Sequence, residues 1–346
     1  MKNLFKLTNI SLAWMYAYIH FILEVVCFCF LSRVSPSLFV WLIPFLYDGF
    51  AFIPQSLIGY VKDRFPKINV GLIGMIGLLI GISLFSFTSC NKYVLVIIIG
   101  LANACLHIEG AYHTIGLSKG KLTFSAIFVG LGAIGVITGR VVALSNMPTW
   151  FLLLMIITML PILIYRKNNY LDNIFLNEYD YVKKRKNKFI IILLICLVIM
   201  VRAYLGYRIP SAWNTTTVHT IILFVTMGLG KILGGVLADS WGLKKTACVS
   251  TLCSIPFLIF GNQDMLISLI GIMLFSMTMS ITLAMLISIL PRNPGLAFGL
   301  TTIALACGTF PIFFIAITDT LINTLIILIL SFLSFLILNT LLKENK

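Results

Sequence analysis

Ionisable side chains stand inside several long apolar stretches of the sequence, where they are candidates for chemistry. His20 and Glu24 are four residues apart, a spacing that places both side chains on one face of a helix. A carboxyl group in apolar surroundings tends to stay protonated near neutral pH, whereas a neighbouring imidazolium favours its charged form. The pair therefore suits proton binding and release, or contact with a substrate. The alternative is a static pair that joins two helices.

Other charged residues stand at similar places in the apolar stretches. Asp48 fits either a functional role or a structural ion pair with a cation on another helix. Arg202 lies too deep in its stretch for its position to be explained by snorkelling alone. Arg140 and Lys231 are closer to the ends of their stretches, where long side chains can reach water. We take Asp48, Arg202 and Arg140 as candidate residues for substrate or proton binding.

One stretch carries both His107 and Glu109, which are two residues apart. On a helix they point about 200° away from each other, so they cannot both face one cavity. We therefore take His107 as the cavity candidate and expect Glu109 to pair with another helix. This divergence and the absence of an HExxH pattern argue against a metal site. We predict no catalytic group, no metal and no cofactor.

The composition identifies the solvent in which these residues must fold. Of 346 residues, 60% are hydrophobic and 10% are charged, and the mean hydropathy is +1.06. Such a chain cannot cover its surface with polar groups, so its exposed faces suit lipid. In lipid the backbone must satisfy its own hydrogen bonds, and apolar runs of about 20 residues match membrane-spanning helices.

The apolar runs predict twelve membrane-spanning helices in an all-α protein. They cover residues 11–31, 38–60, 70–89, 93–115, 122–144, 149–165, 189–207, 217–238, 246–260, 265–290, 296–318 and 321–342. The ninth is the shortest and contains Pro256. Residues 166–188 form a long polar, basic linker, so we divide the chain into halves 1–165 and 189–346. Tyr170, Ile174, Phe175 and Tyr179 could share one side of an amphipathic helix in this linker.

The net charge of +14 would suggest a nucleic-acid partner in a soluble protein. Here most Lys and Arg residues fall in the linker and in loops that share one side of the membrane when both termini are cytoplasmic. This bias follows the positive-inside rule. We therefore predict a multi-pass protein of the plasma membrane with both termini in the cytoplasm and no nucleic-acid partner.

Two loops in equivalent positions of the two halves repeat one pattern. Each has a glycine four residues before an aspartate, at the end of an apolar run, with basic residues nearby. The residues are Gly59, Asp63 and Arg64 in the first loop, and Gly235, Asp239, Gly242 and Lys244 in the second. The aspartates are 239 − 63 = 176 positions apart, about half the chain. Equivalent loops at this separation indicate an internal repeat.

The loops resemble the signature that follows the second and eighth helices of the major facilitator superfamily. Ser240 replaces the usual basic residue in the second loop, and Pro66 stands where glycine is usual in the first. The resemblance implies two pseudo-symmetric six-helix bundles, with the aspartates holding the cytoplasmic side shut in the outward-facing state. It also implies that the first, fourth and seventh helices surround a central cavity. Arg202 would then face Glu24 or an anionic substrate.

Other stretches resemble a subgroup of small, functionally undefined bacterial facilitators, and more loosely the fosmidomycin-resistance-type efflux permeases. They are residues 47–50, 103–107, 275–279 and 294–301. The glycine-rich residues 130–139 loosely resemble an antiporter motif but lack its proline, so we expect close helix packing there. We predict a monomeric secondary transporter that moves a small organic solute by alternating access, with proton coupling and with export favoured over import. The alternative is a membrane-embedded enzyme or sensor with a fixed cluster of polar residues.

Overall fold

The computed structural model describes residues 9–34, 41–145, 147–165, 179–183, 187–315 and 319–344. Within these residues the regular elements are helices, apart from one antiparallel β-bridge between Val182 and Leu342. Twelve helices, named α1 to α12, follow one another along the chain. They are Asn9–Val34, Leu42–Arg64, Val70–Phe87, Lys92–Leu117, Leu122–Leu144, Phe151–Ile164, Lys188–Gly206, Thr217–Trp241, Leu243–Phe260, Met265–Ile289, Pro294–Phe313 and Thr320–Leu341.

Their positions match the twelve predicted spans. Eleven of these helices in the described part are long and apolar enough to cross a membrane, and α6 is a shorter apolar helix. The ninth span, Leu243–Phe260, continues through Pro256 without a break. The predicted all-α membrane architecture is therefore confirmed, and the chain is a multi-pass helical protein.

A proline interrupts α2 and shapes the helix that carries the first aspartate loop. The helix stops at Phe52 and resumes at Gln55, because Pro54 has no N–H to donate to the preceding turn. The buried Gln55 side chain donates from Nε2 to the Ala51 carbonyl oxygen at 2.7 Å. A side chain thus satisfies a carbonyl that lies in the interrupted turn.

Glycines let α5 lie close to helices on both of its sides. A Cβ atom at Gly135 would lie 2.5 Å from the Phe21 carbonyl oxygen of α1. On the other side, a Cβ atom at Gly130 would lie 2.8 Å from the Gly228 carbonyl oxygen of α8. Real Cβ atoms cannot approach so closely, so only glycine allows these contacts. The close packing expected for residues 130–139 is present.

Residues 179–181 of the linker contact both the loop after α4 and the segment that follows α12. Tyr179 and Tyr181 bond to the loop after α4, through the Ser118 hydroxyl at 2.6 Å and the Gly120 carbonyl oxygen at 2.6 Å. Lys343 pairs with Asp180 beyond the end of α12. The amphipathic helix predicted in the linker falls mostly on residues 166–178, which lie outside the described residues.

Candidate functional site

The carboxylate of Asp63, near the end of α2, binds the first turn of α11. The amide nitrogens of Gly295 and Leu296 donate to its two oxygens, each at 2.8 Å. A helix N-terminus has free N–H groups and a partial positive charge, so it suits a carboxylate. Gly59 lies directly against Gly295, and a Cβ atom at Gly59 would collide with the Gly295 backbone. This contact, which we call the first latch, joins α2 to α11.

Asp239 makes the equivalent contact from α8 to the first turn of α5. The amide nitrogens of Leu122 and Thr123 donate to its two oxygens at 2.8 and 2.9 Å, and the Thr123 hydroxyl donates at 2.6 Å. Gly235 lies against Ala126, where a side chain would collide. We call this the second latch. Each latch connects one of the first six helices to one of the last six.

The other loop residues serve different contacts. Gly242 has φ 95°, a conformation that favours glycine, and it directly precedes α9. Lys244 pairs with Glu344 at 3.1 Å, and its ammonium holds the pKa of that exposed carboxyl below its usual value. Arg64 is exposed. The expected partners of the aspartates were a helix N-terminus and basic residues; the described contacts are to the N-termini.

We call the end of the bundle that carries both latches the basic end, because the basic loops lie there. The opposite end is closed by different chemistry. Phe45 of α2 contacts the aromatic rings of Phe310, Phe313 and Phe314 at the end of α11, with ring centroids 4.9 to 5.7 Å apart. Ring contacts without hydrogen bonds separate more easily than the charged contacts at the basic end.

A polar cluster lies between α1 and α4 at mid-depth of the bundle. His20, Glu24, Asn103 and His107 are buried. The two histidine Nε2 atoms are 2.6 Å apart, and Glu24 Oε1 is 3.3 Å from His107 Nε2 and 3.6 Å from His20 Nε2. Asn103 Nδ2 lies 3.4 Å from Glu24 Oε1 and 2.9 Å from the Tyr47 hydroxyl. The sequence candidates His20, Glu24 and His107 thus come together.

The remaining nitrogen of each histidine is held by an oxygen atom. His20 Nδ1 is 2.8 Å from the Phe128 carbonyl oxygen of α5, and His107 Nδ1 is 2.6 Å from Asn103 Oδ1. These contacts fix both rings with Nε2 facing Glu24. Asn103 was not among the sequence candidates, although it stands four residues before His107 on the same helix face.

The donor atoms of His20, Glu24 and His107 lie within 4.8 Å of one another, as in a metal site. The prediction of no metal rested on the divergence of His107 from Glu109 and on the absence of an HExxH pattern, and neither feature involves this group of three. Two nitrogen ligands of one tetrahedral zinc ion stand about 3.3 Å apart, given Zn–N distances of about 2.0–2.1 Å. The observed 2.6 Å between the imidazole nitrogens is instead a hydrogen-bond distance.

Charged residues of α7 and α8 lie near this cluster. Lys231 is close enough to both Glu24 and Arg202 for their charges to interact. No ion pair within 4 Å joins Arg202 to Glu24 among the described residues. Asp48 is half-buried in α2 and interacts electrostatically with Glu24 and with Tyr207.

Arg140 occupies a place nearer the opposite end. Its guanidinium carbon is 5.6 Å from the ring centre of Phe28 in α1 and 5.1 Å from that of Phe224 in α8. It also lines a cavity of about 250 Å³, together with Ile137 and residues 214–217. Cation–π contacts of this kind hold the guanidinium between the helices.

A second buried network could not be predicted from the sequence, because its members are far apart in the chain. Lys62, a basic residue next to Asp63 in the chain, is fully buried, with Nζ 2.8 Å from Glu109 Oε2 and 2.8 Å from the Ile68 carbonyl oxygen. His113 Nε2 is 2.9 Å from Glu109 Oε1. The expectation that Glu109 pairs with another helix is met by Lys62 of α2.

Solved transporter structures share this fold over almost the whole chain. The human organic anion transporter MFSD10 (TETRAN) has a TM-score of 0.67 at 12% identity, covering 95% of this chain and 99% of that one. FucP in its outward conformation has a TM-score of 0.64 at 12% identity, covering 94% and 97%. The E. coli fucose:proton symporter FucP has 0.67 at 12% identity, covering 96% and 98%.

No family profile and no curated protein sequence matches the chain. The structural likeness nevertheless covers 94% to 96% of this chain. The chain therefore has the fold of the major facilitator superfamily transporters, as the paired loops predicted.

Proposed function

We propose that this protein is a secondary active transporter that moves a small organic solute across the membrane by alternating access. The observation that carries this proposal is the pair of equivalent latches. Asp63 and Asp239 each bind a helix N-terminus of the other half at the same end of the bundle. Contacts of only a few atoms, repeated symmetrically across an interface, can break and re-form as two bodies rock.

The two bodies in this proposal are residues 1–165 and 189–346. Their contacts differ between the two ends of the bundle: charge-assisted hydrogen bonds at the basic end, and ring contacts of Trp41 and Phe45 at the opposite end. This asymmetry supports opening at the opposite end while the latches hold. We propose that the basic end faces the cytoplasm of a cell whose plasma membrane holds the protein, with both termini inside.

Proton coupling is supported by counting hydrogens in the mid-depth cluster. A carbonyl oxygen can only accept, so His20 Nδ1 must donate to Phe128. His107 Nδ1 likewise donates to Asn103 Oδ1, because the amide nitrogen of Asn103 faces Glu24 and Tyr47. Neutral histidines in these tautomers would place two bare lone pairs 2.6 Å apart. One additional proton between the two Nε2 atoms removes this repulsion.

That additional proton makes the histidine pair cationic, and Glu24 lies beside it as the counter-charge. We propose that the cluster takes up one proton in one orientation of the transporter and releases it in the other. Asp48 of α2 is a further acidic group that interacts electrostatically with Glu24. Release would separate the charges of Glu24 and the histidines, so it requires that water or a substrate enter from one side.

The test uses purified protein in liposomes that contain a pH-sensitive dye. Addition of a transported solute should move protons in the wild type, and Glu24→Gln should transport without pH dependence or not at all. Glu344→Gln is the matched control, since it removes an exposed carboxylate outside the cluster. Unchanged proton movement in Glu24→Gln would remove Glu24 from this role.

Export is the direction that we propose, on the basis of the resemblance to efflux permeases. Export against an inward proton gradient requires exchange of solute for protons, so vesicles should accumulate the solute when the proton gradient is directed outward from the vesicle lumen. Accumulation under an inwardly directed proton gradient would identify symport, and therefore import, while leaving alternating access intact.

A further inference from the structure

Two cationic side chains from the C-terminal half lie at the same depth as the proton-binding cluster. Lys231 is 10 residues from the Trp241 end of α8, which is about 15 Å along the helix axis. Arg202 is 14 residues from the Lys188 end of α7, or about 21 Å. Helical side chains lean toward their own N-terminus, which brings these two toward each other because α7 and α8 are antiparallel.

Neither cation has a neutralising carboxylate close to it. Among the described residues, no Asp or Glu oxygen lies within 4 Å of Lys231 or Arg202. The Nε atom of Arg202 is buried and has no hydrogen-bond acceptor in the described structure. A buried guanidinium nitrogen without an acceptor is costly, and a bound anion is one arrangement that would satisfy it.

Glu24 does not fill this role, because its own contacts go to another group. Its Oε1 atom faces His107 and the amide of Asn103. Lys231 therefore interacts with the charge of Glu24 only at a longer distance, and the charge of Arg202 repels it. Two like charges held together in a membrane interior require a counter-anion.

We propose that Arg202 and Lys231 bind the anionic group of the transported solute, so that the substrate is a small organic anion with a carboxylate, phosphate or phosphonate group. Arg202 offers a planar fork of N–H donors that matches such oxyanions, and Lys231 adds a point charge. The rings of Phe128 and Phe298, 6.2 Å apart, pack against His20 and His107 of the cluster, and we assign the apolar body of the solute to this side. This inference rests on the proposed transport function.

The depth of the site distinguishes a solute from a lipid. Lipid head groups lie at the membrane surface, whereas both cations are about 15–21 Å from the basic end of their helices. Protein purified with phosphatidylcholine alone, and with added phosphatidylglycerol, separates the two sources. Stabilisation by phosphatidylglycerol that disappears in Arg202→Gln would assign the site to lipid and overturn the inference.

The direct test measures binding by thermal shift on the full-length protein in detergent. The probes are benzoate and phenylphosphonate, with benzamide as the neutral isostere and benzylammonium as the cation. The anions should stabilise the wild type, and benzamide and benzylammonium should not. Arg202→Gln and Lys231→Gln should each weaken anion binding at least tenfold, with unliganded melting temperatures close to that of the wild type.

Lys245→Gln is the matched control, because it removes one exposed positive charge at the basic end. It should change anion affinity less than twofold. Arg202→Lys separates charge from geometry: it should bind benzoate more weakly than the wild type and more tightly than Arg202→Gln. Equal affinity in the wild type and both glutamine variants would overturn the inference, as would selective stabilisation by benzamide.

Failure of this inference is distinguishable from failure of the proposed function. Liposomes that transport benzamide but neither anion, with Arg202→Gln as active as the wild type, would leave a transporter without an anion site. Anion binding that is lost in Arg202→Gln, in a protein that moves no anion across liposomes, would support the site and refute transport.

Discussion

The buried pair of Lys62 and Glu109 allows an unequal response to mutation to be predicted. Their side chains are 0% and 2% exposed, and Nζ lies 2.8 Å from Oε2. Glu109→Gln leaves the Lys62 ammonium buried without its counter-charge. Removal of one partner of such a pair costs about 3–5 kcal/mol of folding stability.

Lys62→Met should cost less, because Glu109 keeps other donors. The Gly71 amide lies 3.3 Å from its Oε2 atom, and His113 Nε2 lies 2.9 Å from Oε1. The expected loss is that of one hydrogen bond to a charged group, about 1.5–3 kcal/mol.

The double variant provides the decisive comparison. Adding Lys62→Met to Glu109→Gln also removes the buried ammonium that faced Glu109, so the double variant should be more stable than Glu109→Gln alone. Unfolding of the purified protein in mixtures of mild detergent and dodecyl sulfate would measure these free energies. A double variant less stable than Glu109→Gln, or equal losses in the two single variants, would refute the reasoning.

The pair of Lys244 and Glu344, whose carboxylate is exposed, is the matched control for this experiment. Its nitrogen and oxygen are 3.1 Å apart, similar to the buried pair, but the Glu344 side chain is 83% exposed. Exposed ion pairs contribute about 0–1 kcal/mol. Lys244→Met should therefore leave stability within about 1 kcal/mol of the wild type.

Three other predictions follow from the latches and the cluster. Asp63→Asn and Asp239→Asn should each open the basic end, measured as faster labelling of cysteines introduced between the halves; labelling at the wild-type rate in the double variant would contradict the latch role. Gly132→Ala places a Cβ atom against the His20 ring, so it should abolish solute-driven proton movement. Gly116→Ala is its control, since a Cβ atom there meets nothing within 4 Å, and it should retain proton movement.

The fold could be predicted from sequence because its two determinants are local. The length of each apolar run sets a span, and the loops around Asp63 and Asp239 stand at equivalent places. Pro256 made the ninth span uncertain in length, yet the helix passes through it. Neighbouring helices can compensate a hydrogen bond lost at proline.

The site was predictable only where its members share a helix face. His20 with Glu24 could be found from the spacing of four residues, and so could Asn103 with His107. The meeting of these two helix faces depends on tertiary packing, which residue spacing does not reveal. The contact of His20 with the Phe128 backbone carbonyl does not depend on the type of residue 128, so the sequence gives no sign of it. Lys62 could not be singled out for a related reason, since a basic residue beside a loop resembles any other loop charge until Glu109, 47 positions away, is placed next to it.

The reciprocity of the two latches bears on how such a chain could originate. In each half, the aspartate lies near the end of the second helix and binds the first turn of the fifth helix of the other half. Such a contact is isologous, as in a twofold symmetric homodimer. A single ancestral half would already carry both surfaces, and two copies of it could pair through both. Duplication and fusion of its gene would then join an interface that was already self-complementary.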